Sequence, residues 1–133
     1  MKKIEKTMLI DDSYANNCMT EVLLKQEGTF NQITKYSTPV EALSSISEDL
    51  PDLILLDINM PEMDGFNFLD EYIKLDSVVN SNYRPVVVMV SGEVFSENFF
   101  KIKKYKQYGV LNYLIKPIGK DDIEFLLNEH FNN

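Results

Sequence analysis

Three short apolar runs constrain this chain more than any other feature. Thr7–Asp11 (TMLID), Asp52–Asp57 (DLILLD) and Val86–Ser91 (VVVMVS) are strand-sized and bounded by acids or breakers. Runs of this length without polar alternation read as strands buried on both faces. Gln32–Tyr36 and Leu111–Ile115 give weaker versions of the same signal. The segments between them have helical spacing. Tyr14–Glu27 ends at Gly28 and places Cys18 and Val22, with Met19 and Leu23, on one side. Pro39–Asp49 starts from Thr38 as N-cap with Pro39 in the first helical position. Phe66–Leu75, Phe95–Tyr108 and Asp121–His130 complete five helices, and residues 76–85 (DSVVNSNYRP) read as a surface loop.

Strand and helix thus alternate five times with no strand doublet. That pattern predicts a doubly wound α/β fold, a parallel sheet covered on both faces. No internal repeat, low-complexity tract or linker interrupts residues 1–133, so a single domain is expected. A hydrophobic fraction of 44% is too high for disorder at a net charge of −8. The negative balance argues against nucleic acid or an anionic membrane as partner and leaves room for a cation. The N-terminus lacks the apolar core of a signal peptide, and no apolar run is long enough to span a bilayer. One cysteine, Cys18, excludes an intrachain disulfide, and a cytoplasmic compartment is expected.

In an open parallel sheet, ligands gather at the carboxyl ends of the strands. Read against that rule, the first strand ends in Asp11 and Asp12, the third in Asp57 and the fourth in Ser91, while Lys116 and Pro117 follow the fifth. Asp11, Asp12 and Ser13 also suit a helix cap. Three crowded acids, however, raise one another's pKa unless a cation joins them. Lys116 offers one charge; a divalent, oxygen-seeking ion such as Mg²⁺ offers two. A carboxylate beside Mg²⁺ is a nucleophile for a phosphoryl group, and such transfer needs mainly positioning and charge neutralisation. Asp57, aimed by a rigid strand tip, stands at the centre of this reading, with Lys116 and the Ser91 hydroxyl available to phosphoryl oxygens.

LIDD at the first strand, LLDINMPEMDG around Asp57, VMVSGE at the fourth strand and YLIKP at the fifth resemble the receiver domain of bacterial two-component response regulators. The resemblance covers about residues 5–130. It implies a flavodoxin-like receiver fold with strand order 2-1-3-4-5 and a cis peptide bond between Lys116 and Pro117. It implies Asp57 as phosphoacceptor and Asp12 as a direct Mg²⁺ ligand, with Asp11 acting chiefly through water and the Asn59 carbonyl as a further ligand. Ser91 becomes the switch hydroxyl, Lys116 the phosphate-pairing lysine and Tyr113 the aromatic whose rotamer follows activation. A partner would dock on the helix Phe95–Tyr108, the fifth strand and the last helix, a face that includes Phe95, Phe99, Lys103 and Tyr113. No output domain is expected after Asn133, and the chain resembles the single-domain, chemotaxis-type regulators.

The implied function is a phosphorylation-dependent switch fed by a sensor histidine kinase and read by a downstream target. It is not an enzyme beyond its own aspartyl phosphorylation and dephosphorylation. The alternative is a phosphorelay intermediate that passes its phosphoryl group to a histidine phosphotransfer protein. A dehalogenase-type phosphohydrolase would need an acid where Asn59 stands. A flavin carrier would need a glycine- and hydroxyl-rich loop where DDSYAN stands. Among smaller features, Cys18 is expected to be a buried small hydrophobe. Met60 and Met63 are read as shaping the loop, Lys101, Lys103, Lys104 and Lys106 as a solvated face, and His130 as no phosphodonor.

Overall fold

The computed structural model of the chain describes residues 4–92 and 96–131, with side chains for all of these except residues 96–99. Five strands, β1 (Ile4–Ile10), β2 (Phe30–Tyr36), β3 (Leu53–Asp57), β4 (Val86–Ser91) and β5 (Val110–Ile115), form one sheet. All pair in parallel, in the order β2-β1-β3-β4-β5. The helices are α1 (Tyr14–Glu27), α2 (Pro39–Asp49), α3 (Gly65–Tyr72), α4 (Asp76–Val79), α5 (Ser96–Lys103) and α6 (Lys120–Leu126). The sheet order and the strand-helix alternation are those expected from the sequence. The short α4 is one helix more than the five expected.

The side-chain period of two explains why the central strands carry unbroken apolar runs. On one face, Ile54 and Leu56 pack with Ala42 and Ile46 of α2 and with Phe68, Leu69 and Tyr72 of α3. On the other, Leu53 and Leu55 pack with Leu24 of α1 and with Ile123 and Leu126 of α6. Each such leucine contributes about 1.5–3 kcal/mol by leaving water. The same alternation gives Asp57 the parity of Leu53 and Leu55, toward the α1 and α6 side.

Several local expectations change. Helix α1 has the expected ends, with Ser13 accepting the Asn16 N–H and Gly28 in the left-handed region at φ 72°. Its inward residues, however, are Asn17 and Leu24, whereas Met19 and Val22 are 67% and 56% exposed. Leu24 and the hydrogen bonds of Asn17 seat the helix, so the apolar stripe through Val22 faces outward. Cys18 is half-buried rather than buried, with its sulfur 4.0 Å from the Lys35 ammonium. Thr38 does occupy the N-cap of α2, but its hydroxyl makes no capping bond.

The third helix ends at Tyr72, three residues short of Leu75. The expected loop then winds into α4 because Val78 is fully buried against the α3 core. The fifth helix stops at Lys103, and a 3₁₀ turn over Lys106–Tyr108 leads to Gly109 at φ 95°. A Cβ there would lie 2.0 Å from the Pro85 carbonyl oxygen, so only glycine fits. The last helix continues beyond α6 as a π turn over Leu127–Phe131.

Candidate functional site: an acidic pocket at the strand tips

β1 delivers Asp11 and Asp12, β3 delivers Asp57, and the turn after β5 delivers Lys116. Asp11 stays in register because its N–H donates to the Tyr36 carbonyl at 3.1 Å. Asp57 is 4% exposed and Asp11 8%, while Asp12 faces solvent. One carboxylate oxygen from each of the three lies within 4.8 Å of the others. The Lys116 ammonium sits 2.9 Å from Asp11 Oδ2 and 3.1 Å from Asp57 Oδ1. The backbone N–H of Lys116 donates to the Ser91 carbonyl at 2.8 Å, and its bond to Pro117 is cis.

Among the described residues, three carboxylates facing one ammonium leave negative charge unbalanced. Burial first, and then the charge of Asp11, push the Asp57 carboxyl above its ordinary pKa against the pull of Lys116. Burial draws the Lys116 ammonium down, but hydrogen bonds to Asp11 and Asp57 outweigh it and the net direction is up. Every ligand atom that the three acids offer is a hard oxygen, so these residues fit a Mg²⁺ ion.

Ser91, 1% exposed at the end of β4, accepts from the Asn59 amide at 3.4 Å. The loop from Ile58 to Asp64 is closed by the Gly65 N–H, which donates to the Ile58 carbonyl at 2.7 Å. A Cβ at Gly65 would press within 2.9 Å of Ile58 Cα and 3.0 Å of the Asp57 carbonyl. Glycine therefore lets α3 begin directly against the strand tip. In this loop Met60 is buried and Met63 packs against the core. Tyr113 lies outside the acidic pocket, half-buried against the α3 and α5 side of the sheet. Lys103 is exposed, 5.2 Å from the Phe100 ring centre. Of the other residues assigned to the partner face, Phe95 and the side chain of Phe99 lie outside the described residues.

Sequence reasoning missed two features of the site. Asn17 is buried behind Asp11 and donates to backbone at the ends of β1 and β2. A groove of about 640 Å³ also runs from Asp57 and Lys116 between α1 and the β5–α6 turn. Met19, Val22, Leu23 and Ile118 line it. The signal for the groove was present, since the apolar positions of α1 outnumber those that one sheet-facing stripe requires.

The family model for the response regulator receiver domain matches residues 7–128. The chain belongs to this family. It is the receiver domain of a two-component system, and no helix among its described residues is long and apolar enough to cross a membrane. The receiver is 29% identical over 119 residues to sporulation initiation phosphotransferase F of Bacillus subtilis, covering 90% of this chain and 87% of that protein. It is 30% identical to hybrid signal transduction histidine kinase B of Dictyostelium discoideum, over 98% of this chain but only 7% of the relative. A two component response regulator from Cytophaga hutchinsonii superposes with a TM-score of 0.84 at 23% identity, over 99% of this chain and all of that one. The chemotaxis protein CheY4 of Vibrio cholerae gives a TM-score of 0.75 at 23% identity, over 94% of this chain and 97% of that one. These two likenesses bear on the fold.

Proposed function

We propose that this receiver is a phosphorylation-dependent signalling switch with Asp57 as phosphoacceptor. The observation that carries the reading is the placement of Asp57, buried at a strand tip within reach of Lys116 and of two further carboxylates. The phosphodonor is a phosphohistidine of a sensor kinase. An Asp57 oxygen attacks phosphorus as the P–N bond to the donor imidazole breaks. The bonding pair stays on the ring nitrogen, which takes up a proton. Lys116 pairs with a phosphoryl oxygen, and the Ser91 hydroxyl turns from its Asn59 contact to donate to another. Asp11, Asp12, Asp57 and the Asn59 carbonyl would hold Mg²⁺, which when bound neutralises charge on the phosphoryl oxygens. The domain acts on itself and turns over no separate substrate. The single cysteine and the kinase donor suit a cytoplasmic setting, and a downstream protein reads the phosphorylated form.

Incubation with Mg²⁺ and acetyl phosphate tests this reading. The wild type should gain one base-labile phosphoryl group, detected as an added mass of phosphate, and Asp57→Asn should gain none. Equal labelling of the two proteins would remove Asp57 from the centre of the mechanism.

The likeness to a sporulation phosphotransferase over 90% of this chain supports a second reading, a relay intermediate. In that reading the P–O bond at Asp57 breaks and the phosphoryl group passes to a histidine of a phosphotransfer protein. Loss of label from the receiver with equal gain by a histidine protein distinguishes a relay from a terminal switch.

A further inference from the structure

Asn17 is 3% exposed on α1, and the mechanism above gives it no part. Its side-chain amide donates to the Asp11 carbonyl at 3.0 Å and to the Tyr36 carbonyl at 3.2 Å. Those carbonyls mark the place where the β1–β2 ladder runs out, just past the Asp11 N–H to Tyr36 carbonyl bond. Without Asn17 the Asp11 carbonyl loses this donor and the Tyr36 carbonyl keeps only the Asp11 N–H. The Asp11 side chain is gripped as well, at Oδ1 by the Ser13 N–H and at Oδ2 by Lys116. The Asp11 carbonyl lies in the rigid peptide plane that also carries the Asp12 nitrogen. Whatever fixes that carbonyl therefore fixes the direction in which Asp12 leaves the strand.

We infer that Asn17 is a positioning residue for the acid pair. It holds the Asp11–Asp12 peptide so that both carboxylates converge with Asp57. The inference rests on the reading of these acids as a Mg²⁺ site. Asn17 acts only through Asp11 and Asp12. An amide suits the task because one uncharged nitrogen carries two N–H donors, so it ties two carbonyls and adds no charge beside the acids. Leucine of similar size makes neither bond, and serine makes at most one.

The test titrates Mg²⁺ alone into the full chain by calorimetry at neutral pH, well below the unfolding midpoint of each variant. Asn17→Leu should weaken Mg²⁺ binding by about tenfold or more, the range for losing an outer partner of a metal ligand. Asn17→Ser should weaken it less. Thr34→Val is the matched control, because the Thr34 hydroxyl also ties β2 to β1, donating to the Thr7 carbonyl at 3.3 Å, but four residues before Asp11. Its affinity should stay at the wild-type value. An Asn17→Leu affinity within about twofold of wild type overturns the inference, as does equal weakening by Thr34→Val. If Asn17→Leu does not fold, unchanged binding by Asn17→Ser overturns it. Failure of the wild type to bind Mg²⁺ brings down the metal site itself. Binding that survives Asn17→Leu brings down only the role of Asn17.

Discussion

Lys116 sets the charge balance of the pocket, because it is the ammonium shared by Asp11 and Asp57. Removing one partner of a largely buried ion cluster leaves the other charges uncompensated. Lys116→Ala should therefore lower stability by roughly 2–3 kcal/mol at neutral pH and low ionic strength. It should also bind Mg²⁺ several-fold more tightly, since the competing cation is gone, and accept phosphoryl groups more slowly. Denaturant melts and calorimetry check the first two effects, and weaker Mg²⁺ binding in the variant contradicts the assignment. The three acids, Ser91 and Lys116 were legible in the sequence because each follows a strand whose apolar run announces its end. Asn17 was not. An asparagine inside a helix reads as neutral, and nothing in the linear pattern says that two carbonyls from different strands will need its amide.

At the scale of elements, the strands were the most legible parts, since burial on both faces leaves a continuous apolar run. Helix α1 shows the limit. Its ends follow from Ser13 and Gly28, but its rotation about its own axis depends on Leu24 and Asn17 meeting the sheet. Helix α4 was hidden for a similar reason, because a single buried residue, Val78, winds a polar stretch into a turn. The π turn after α6 has its own consequence. Its His130 ring contacts the Asn112 side chain, and burial lowers the imidazole pKa from its ordinary 6.5 while Glu129 opposes the shift. The unfolded chain therefore takes up a proton more readily than the folded one. Stability is full above the ordinary value and is lost as pH falls from there toward the lowered folded value. The midpoint of thermal unfolding should drop more in the wild type than in His130→Asn between about pH 7 and about pH 5.5. Equal drops would mean that the folded state holds the imidazolium as readily as water does.

At the scale of the whole molecule, the proposed switch requires the sheet to carry a charge at its tips to surfaces on its flank. A phosphoryl group adds close to two negative charges. Ser91 pairs with Ile115 across β4 and β5, and Met89 pairs with Tyr113, so the aromatic lies one rung of the same face away from the hydroxyl. Drawing Ser91 toward a phosphoryl oxygen should shift Tyr113 inward and reset α5, biasing a pre-existing equilibrium. Backbone NMR with Mg²⁺ and beryllofluoride, a phosphoryl mimic, should show shifts in Ile102–Tyr105 and at Tyr113 as well as around Asp57. Shifts confined to the acidic pocket would mean that the signal leaves by another route, for which the apolar groove beside α1 is the nearest candidate.

The closed loop between Ile58 and Gly65 offers something of practical use. Its two ends are already joined, so its outer arc works as a port in a wall that does not move when the port is enlarged. Lengthening such an arc costs little entropy, about 0.6 kcal/mol for each doubling of its length. A short glycine-serine insert carrying a reporter group between the exposed Pro61 and Glu62 should fold with a melting midpoint within a few degrees of the parent. It should keep wild-type labelling at Asp57 while placing a fluorophore beside the pocket. A large loss of stability would show that the arc itself, and not its clasp, holds the strand tip in place.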